Sequence, residues 1–232
     1  MLEPRKITTI FFDLDHTLWD FEKNSALTFD KIFQEENLPL AVSDFIQVYN
    51  PINHDCWRLY RNNQITHDQL RTLRLERTFK KLQYDYTREL LSVVNEKYIH
   101  YLGSFTHVFD GTFSLLEALS GHFEMHIITN GFDSVQHHKM KNSGLRPYFK
   151  GMVTAQQAGH KKPSPKIFEF ALRQAQKKAS ESLMIGDSLE ADVQGALAVG
   201  MQAIHFNSHG EPQHHKSTIV NSLDELKSIL LH

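Results

Sequence analysis

Cysteine is nearly absent from this sequence, which has a single one, Cys56, among 232 residues. One cysteine cannot close a disulfide within the chain, so a disulfide-stabilised secreted scaffold is excluded. Long apolar runs are also missing: no stretch reaches the roughly 20 residues of a membrane-spanning helix, and the start lacks the apolar segment of a signal peptide. We therefore expect a soluble cytoplasmic protein without a membrane partner, with Cys56 a packed thiol.

A large excess of either charge is lacking too. The 25 basic and 27 acidic side chains give a formal net charge of −2, so nothing favours nucleic acid or anionic lipid as a partner. The hydrophobic fraction of 41% and the charged fraction of 22% are typical of a globular protein. We expect a monomer or a homodimer.

Histidine, by contrast, is abundant, with 15 in the chain. Four of them lie close together, at His205, His209, His214 and His215. A zinc site is one interpretation, and a solvated loop is the other. Structural zinc sites usually have regular spacing and often cysteine, and this segment has neither. The pattern therefore favours a loop.

Apolar β-type segments alternate with helical segments at the start of the chain and again after residue 103. The predicted strands are 7–12, 124–129, 151–155, 182–187 and 202–206, and the predicted helices reach from about 132 to 143, 165 to 178, 191 to 199 and 222 to 231. Repeated β-then-α units predict an α/β fold with a doubly wound parallel sheet. We assign residues 1–19 and 103–232 to this α/β fold and expect it to be the catalytic core.

Residues 20–102 differ, because they have almost no strand-like alternation. Apolar side chains recur at helical spacing, and Thr66 with Gln69 forms the sequence of a capping box. Pro39 and Pro51 mark the breaks between elements. The pattern predicts three or four helices, inserted after the first strand as an α-helical cap domain.

Two carboxylates, Asp13 and Asp15, follow the first apolar strand. Residues spaced i, i+2 project to the same side of an extended chain. The carboxyl end of a first strand is where open α/β sheets bind ligands. In such a pair, one carboxylate can act as a nucleophile and the other as a general acid and base.

Polar side chains follow three further predicted strand ends or lie just beyond them. They are Thr129-Asn130-Gly131, the pair Lys161-Lys162, and Asp187 with Asp192. Parallel strands end at the same edge of a sheet, so these groups should meet Asp13. Carboxylates, a lysine, a hydroxyl and backbone amides suit Mg²⁺ together with a phosphoryl group.

These motifs, in this order, resemble those of the haloacid dehalogenase (HAD) superfamily. Asp13-Leu14-Asp15-His16-Thr17-Leu18 is similar to its first motif, and the three groups that follow are similar to its second, third and fourth. The stretch 159–168 matches a subgroup form with Lys-Pro-x-Pro-x-Ile-Phe. The resemblance implies a HAD-like Rossmannoid core with a helical C1-type cap.

The resemblance also implies catalytic roles. Asp13 would attack phosphorus and form an aspartyl-phosphate, while Asp15 would protonate the leaving oxygen and later deprotonate water. Lys162 would fix Asp13 and the phosphate, whereas Lys161 lacks the adjacent proline and would be solvated. The substrate's phosphate would be bound by Thr129, Asn130 and Gly131.

For the metal, the family pattern implies an oxygen-only set. Mg²⁺ would be held by Asp13, Asp187 and the backbone carbonyl of Asp15. Asp192 would complete the acidic group by orienting Lys162 or a metal-bound water.

Asp15 separates the activities found in this superfamily. Haloacid dehalogenases keep the nucleophile but lack the second aspartate, so Asp15 favours phosphoryl chemistry. A P-type ATPase is excluded by the lack of membrane spans. A receiver domain would be shorter and capless, without this order of motifs.

The substrate class is predicted from the sequence of the helical cap. The stretch Asn53 to Thr66 resembles the cap of bacterial pyrimidine 5'-nucleotidases, which implies a phosphate ester of nucleotide type. We expect Trp57 or Phe132 to stack on a base and Asn53 or Arg74 to reach its polar edge. The alternative is that Trp57 packs within the bundle and Arg74 is solvated. Sugar-phosphate or phosphoglycolate hydrolysis and phosphoglucomutase-like transfer are alternative activities, and a non-enzymatic module is disfavoured.

Overall fold

The computed structural model describes residues 6–231, which form two compact units. The first unit contains 6–21 and 107–231, and the second contains 22–106. No helix among the described residues combines the length and the apolarity that a membrane crossing needs.

The second unit lies a few residues later in the chain than the predicted insertion at 20–102. Asp20 donates its backbone N–H to the carbonyl of His107 (3.1 Å), and Trp19 forms an antiparallel bridge with Val108. These contacts hold the segments on both sides of the insertion to the first unit.

The first unit is built on a six-stranded sheet of order β3-β2-β1-β4-β5-β6, in which every pair is parallel. The strands are β1 (Thr9–Phe12), β2 (Glu124–Thr129), β3 (Gly151–Thr154), β4 (Ser182–Gly186), β5 (Gln202–Phe206) and β6 (Thr218–Val220). The predicted α/β fold with a doubly wound parallel sheet is confirmed.

Strand β1 lies in the middle of this sheet and is buried at every position. Successive side chains point to opposite faces of a strand. Phe11 therefore joins Ile167 and Phe168 in one apolar cluster, while Phe12 meets the edge of the Phe149 ring at 6.1 Å between centroids. Burial on both faces explains why this strand is a continuous apolar run.

Helices α5 to α10 complete the first unit. They are α5 (Thr112–Ser120), α6 (Asp133–Asn142), α7 (Ala155–Ala158), α8 (Pro165–Ala175), α9 (Gly195–Ala198) and α10 (Leu223–Leu231). Helix α8 ends three residues before the predicted 178, because Gln176 takes the left-handed conformation (φ 57°) that terminates helices. Helix α5 and strand β6 were not predicted.

The segment 191–199, predicted as one helix, begins as a π-helical turn at Leu189–Gln194 and continues as α9. π-Helical turns are rare and concentrate at functional sites. This one carries Asp192.

The second unit is a bundle of four helices: α1 (Phe21–Glu35, whose first residue belongs to the first unit), α2 (Val42–Arg61), α3 (His67–Lys81) and α4 (Arg88–Leu102). Its interior is aromatic. The Phe29 ring lies 4.6 Å from Phe45, 4.7 Å from Tyr49 and 4.6 Å from Tyr98 between centroids. Cys56 is a buried free thiol and burial raises its pKa, as the packed-thiol interpretation predicts.

Two local predictions in this unit have opposite outcomes. The capping box at the start of α3 is confirmed, because Thr66 Oγ1 accepts from the Gln69 N–H and Gln69 Oε1 accepts from the Thr66 N–H. Pro51 does not mark a break, however, since it lies inside α2. Buried residues on both sides of it, including Tyr49 and Asn53, anchor both halves of that helix, so packing outweighs the missing N–H.

Candidate active site

The strand order reverses beside β1, with β2 and β3 on one side and β4 on the other. Open α/β sheets bind ligands at such a reversal. Asp13 follows β1 and Asp187 follows β4, and the Asp13 N–H donates to the carbonyl of Ile185 (2.8 Å). Carboxylate oxygens of Asp13, Asp187 and Asp192 all lie within 4.8 Å of one another. The acids predicted from strand ends therefore meet.

Lys162 is the cation of this cluster and is only 2% exposed. Its Nζ donates to Asp13 Oδ1 (2.5 Å), to Asp192 Oδ1 (2.6 Å) and to the Ile128 carbonyl (2.8 Å). These three acceptors match the three N–H groups of an ammonium. Burial alone would lower the pKa of Lys162, but the two carboxylates raise it above its ordinary value.

Asn130 holds the loop that carries this lysine. Its Oδ1 accepts from the Lys162 N–H (2.8 Å), and its Nδ2 donates to the Lys162 carbonyl (3.0 Å). The side chain of Asn130, expected to bind phosphate, is thus engaged with the backbone of Lys162. It fixes the position from which Lys162 reaches Asp13.

Asp192 reaches Lys162 from the π-helical turn and is 1% exposed. Its second oxygen accepts from the Ser188 N–H (3.0 Å). The approach is possible because Gly186 has no side chain: a Cβ there would lie 2.3 Å from Asp192 Oδ2. With each oxygen accepting a hydrogen bond, Asp192 is placed to orient Lys162.

The electrostatics of the cluster call for further positive charge. Burial raises the pKa of Asp13 well above its usual range, and Asp192 and Asp187 raise it further, although Lys162 lowers it. Burial likewise raises the pKa of Asp192 despite Lys162. Three neighbouring carboxylates and one ammonium leave an excess of buried negative charge, which a divalent cation with oxygen ligands fits.

Asp187 has two histidine neighbours. Its backbone carbonyl accepts from His205 Nε2 (2.7 Å), and its Oδ2 lies 3.5 Å from His209 Nε2. Burial would raise the pKa of Asp187, but hydrogen bonding to His209 and the charges of His16, His209 and Lys162 lower it overall. Asp187 is therefore favoured as an ionised ligand.

Thr129 ends β2 and is 1% exposed. Its Oγ1 accepts from the Gly131 N–H (3.0 Å) and from Gln136 Nε2 (2.7 Å). A hydroxyl oxygen has two lone pairs, and both are used here. Toward a ligand the Thr129 hydroxyl can act only as a donor, which is what an anionic phosphate requires.

The carboxylate of Asp15 is held by helix α6 rather than by the acidic cluster. Lys139 Nζ lies 2.5 Å from Asp15 Oδ1, and Gln136 Nε2 donates to Asp15 Oδ2 (2.8 Å). With its side chain engaged there, the group that Asp15 has to offer a metal is its backbone carbonyl.

The haloacid dehalogenase-like hydrolase family matches this chain over residues 7–200. The chain belongs to that family. The family match, together with the nucleotidases and phosphatases among its relatives, confirms the predicted enzyme of the phosphatase type.

Its relatives support the subgroup. The pyrimidine 5'-nucleotidase YjjG of Escherichia coli is 33% identical over 225 residues, which cover 95% of this chain and 96% of YjjG. The pyrimidine 5'-nucleotidase PynA of Streptococcus pneumoniae is 29% identical over 207 residues, 88% of this chain and 86% of PynA. The crystal structure of the putative HAD-hydrolase YfnB of Bacillus subtilis, bound to magnesium, superposes with a TM-score of 0.87 at 29% identity, covering 97% of this chain and 99% of YfnB.

The three cap residues expected at the substrate have different surroundings. Asn53 is 5% exposed, and its Oδ1 accepts from Arg74 (3.2 Å) and from the Tyr49 hydroxyl (3.3 Å). Arg74 is not solvated: it is 2% exposed and lies over the Tyr98 ring, 4.7 Å from its centroid. Trp57 is half-buried and meets the Tyr60 ring edge-on at 5.7 Å.

The loop interpretation is confirmed for His209, His214 and His215, which lie between β5 and β6, but it is wrong for His205, which lies in β5. His205 is 1% exposed, so it does not belong to a solvated loop. Its Nε2 bonds to the Asp187 carbonyl and its Nδ1 faces His214 Nε2 at 2.9 Å, so both ring nitrogens are engaged. Since a carbonyl can only accept, His205 Nε2 carries a proton. His214 Nδ1 accepts from the Lys216 N–H, so His214 Nε2 is the donor to His205 Nδ1.

Sequence reasoning missed Gln136 and Lys139, which contact Asp15, and His205, which contacts Asp187. Gln136 and Lys139 are spaced i, i+3 on the helix that follows the second motif, and such residues share a face. That spacing was the available signal. Nothing in the local sequence around His205 indicates its contact.

Proposed function

We propose that this hydrolase is a magnesium-dependent phosphomonoesterase that works through an aspartyl-phosphate, and that its substrates are nucleoside monophosphates. The observation that carries the proposal is the Lys162 network. One buried ammonium fixes Asp13 at the end of β1, beside Asp187 and Asp192. A carboxylate held in this way is an oriented nucleophile beside a site for positive charge.

The donor set suits Mg²⁺, which prefers oxygen ligands and keeps several waters. Asp13, Asp187 and the backbone carbonyl of Asp15 would hold it. When bound, the ion neutralises phosphate charge and the excess charge of the acidic cluster. The magnesium-bound structure of YfnB supports this assignment.

In the first chemical step Asp13 attacks phosphorus. Lys162 holds Oδ1, so we assign the attack to Oδ2. A bond forms between this oxygen and phosphorus as the bond from phosphorus to the ester oxygen breaks. Asp15, protonated, gives its proton to that leaving oxygen. The Thr129 hydroxyl donates to the phosphoryl group. The three N–H groups of Lys162 are already engaged, so its positive charge stabilises through space the charge that spreads over the phosphoryl oxygens.

In the second step water hydrolyses the aspartyl-phosphate. Asp15, now a carboxylate, takes a proton from water as the water oxygen bonds to phosphorus. The bond from phosphorus to Asp13 breaks, which releases inorganic phosphate. Asp13 is again a carboxylate and Asp15 is again protonated, so the cycle closes.

The nucleotide part of the proposal rests on the relatives. YjjG and PynA are pyrimidine 5'-nucleotidases, and both match most of this chain. The half-buried Trp57 offers an aromatic surface in the cap of a kind on which bases stack. We propose a pyrimidine nucleoside monophosphate as the preferred substrate.

A substrate panel tests both parts. Purified enzyme is assayed for phosphate release from pyrimidine and purine nucleoside monophosphates, sugar phosphates and phosphoglycolate, with Mg²⁺ and after chelation. The Asp13→Asn variant, purified in parallel, controls for contaminating phosphatases. We expect the highest kcat/KM on a pyrimidine nucleotide, no turnover without the metal and none with Asp13→Asn.

Other outcomes separate the alternatives. A preference for sugar phosphates would reject the nucleotide assignment and keep the phosphatase. Interconversion of sugar-phosphate isomers with little phosphate release would indicate a mutase. Turnover that persists in the Asp13→Asn variant would show that Asp13 is not the nucleophile.

A further inference from the structure

Helix α6 presents two buried polar side chains to Asp15. Gln136 is 0% exposed and Lys139 is 2% exposed. Lys139 Nζ lies 2.5 Å from Asp15 Oδ1, and Gln136 Nε2 lies 2.8 Å from Asp15 Oδ2. Each oxygen of the carboxylate is thus met by a donor from the same helix.

Lys139 is itself held in place by two aromatic rings. Its Nζ lies 4.1 Å from the centre of the Trp19 ring and 5.4 Å from that of Phe21, in the segment that directly follows the first motif. Aromatic faces attract a cation within about 6 Å. Burying a lysine is costly, and an apolar side chain would fill such a position at lower cost. The lysine therefore needs an explanation beyond packing.

Gln136 links Asp15 to the phosphate side of the site, because its Nε2 also donates to Thr129 Oγ1 (2.7 Å). Gly131 makes room for it: a Cβ at that position would lie 2.3 Å from Gln136 Nε2. One amide therefore sets the orientation of the Asp15 carboxylate and of the Thr129 hydroxyl together.

We infer that Lys139, with Gln136, is a positioning residue that holds the Asp15 carboxylate in the orientation needed for proton transfer. This inference rests on the proposed role of Asp15 as acid and base. Lys139 is assigned to act through Asp15, because its Nζ contacts the Asp15 carboxylate. Without it, the carboxylate can turn toward solvent, and proton transfer becomes slower.

Leaving groups of different basicity isolate this step. A nucleoside monophosphate expels a basic alkoxide that needs a proton, whereas 4-nitrophenyl phosphate expels a stable phenolate that does not. Loss of a positioned acid should therefore lower kcat/KM, which reports the steps up to departure of the leaving group, far more for the nucleotide than for the aryl ester. Hydrolysis of the aspartyl-phosphate, in which Asp15 acts as base, is common to both esters, so the losses compared are losses of kcat/KM. A merely structural defect would slow both to the same extent.

The experiment compares Lys139→Met, which removes the ammonium, with Lys139→Arg, which keeps a cation. Lys141→Met is the matched control, because Lys141 is an exposed lysine of the same helix. We expect Lys139→Met to lower kcat/KM on uridine 5'-monophosphate by about 10–100-fold. The loss on 4-nitrophenyl phosphate should be below about threefold, Lys139→Arg should recover part of the loss, and Lys141→Met should match wild type.

A double variant tests whether Lys139 acts through Asp15. In an Asp15→Asn background, Lys139→Met should cause no further loss, because the group it positions is already gone. Equal losses on both esters, a full additional loss in the double variant, or wild-type or higher turnover in Lys139→Met would overturn the inference.

Failure of the underlying proposal gives a different result. If Asp15→Asn itself slows cleavage of both esters equally, then Asp15 is not the acid. That result rejects the proposed function on which the inference rests. If Asp15→Asn discriminates between the esters and Lys139→Met does not, only the positioning role fails. Should Lys139→Met not fold, Lys139→Gln, which also removes the ammonium, replaces it, and its failure to discriminate between the esters would equally reject the role.

Discussion

Two glycines determine how closely the functional side chains can pack. Gly186 leaves the space that Asp192 occupies on its way to Lys162, and Gly131 leaves the space that Gln136 occupies. In each case a Cβ would lie 2.3 Å from a polar atom of that neighbour, closer than two such atoms can approach. These glycines are therefore required for space, not for an unusual backbone conformation.

Gly186→Ala tests this directly. The added methyl should displace Asp192 and remove one of the three acceptors of Lys162, so we expect kcat to fall by about 10–100-fold. Gly121→Ala is the matched control, because a Cβ there meets nothing within 4 Å. The measurements are steady-state kinetics and the melting temperature of each variant. Wild-type kcat in a folded Gly186→Ala protein would contradict the account.

Residues at strand ends were predictable, and so was the contact of Asp192 with Lys162, whereas the contacts of Gln136 and Lys139 on helix α6 were not. The sequence indicated that Asp13, Lys162 and Asp187 converge, because parallel strands end at one edge and loops carry their side chains there. The contacts of Lys139 with Asp15 depend instead on how α6 is rotated against the sheet. That rotation is set by packing across the whole unit, which local periodicity does not encode.

Among the elements, helix α3 shows how a short local signal fixes a boundary. Thr66 and Gln69 satisfy each other's backbone donors at its first turn. The signal is readable in the sequence because all of its partners lie within three residues. By contrast, β6 has three residues, Thr218–Val220, and pairs only with β5, which lies before it in the chain. A run of three residues is too short to show the alternation typical of a strand, which explains why β6 was not predicted.

Thr66→Ala should destabilise the helical unit by about 0.5–2 kcal/mol, because it leaves an N–H at the start of α3 without its acceptor. Thr72→Ala, inside the same helix, is the control. It should cause no loss, since alanine has the higher helix propensity. Urea unfolding, followed by circular dichroism, gives both values. Equal destabilisation by the two substitutions would show that the cap does not stabilise this helix.

For the molecule as a whole, the residues proposed for chemistry all belong to the unit of 6–21 and 107–231. The residues 22–106 form a second unit with its own aromatic interior. The reaction type could therefore be predicted from motifs in the first unit. The residues that contact the rest of the substrate could not be predicted in the same way, because the sequence does not show that Asn53 and Arg74 are buried against each other.

The central claim is that Asp13 becomes phosphorylated during turnover. Enzyme mixed with a nucleoside monophosphate and Mg²⁺ is quenched in acid within one turnover and then treated with borohydride, which reduces an aspartyl-phosphate to homoserine. Peptide mass spectrometry then locates the modified residue. We predict homoserine at position 13 and none in Asp13→Asn. Rapid phosphate release with position 13 unmodified, or modification at another carboxylate, would contradict the account.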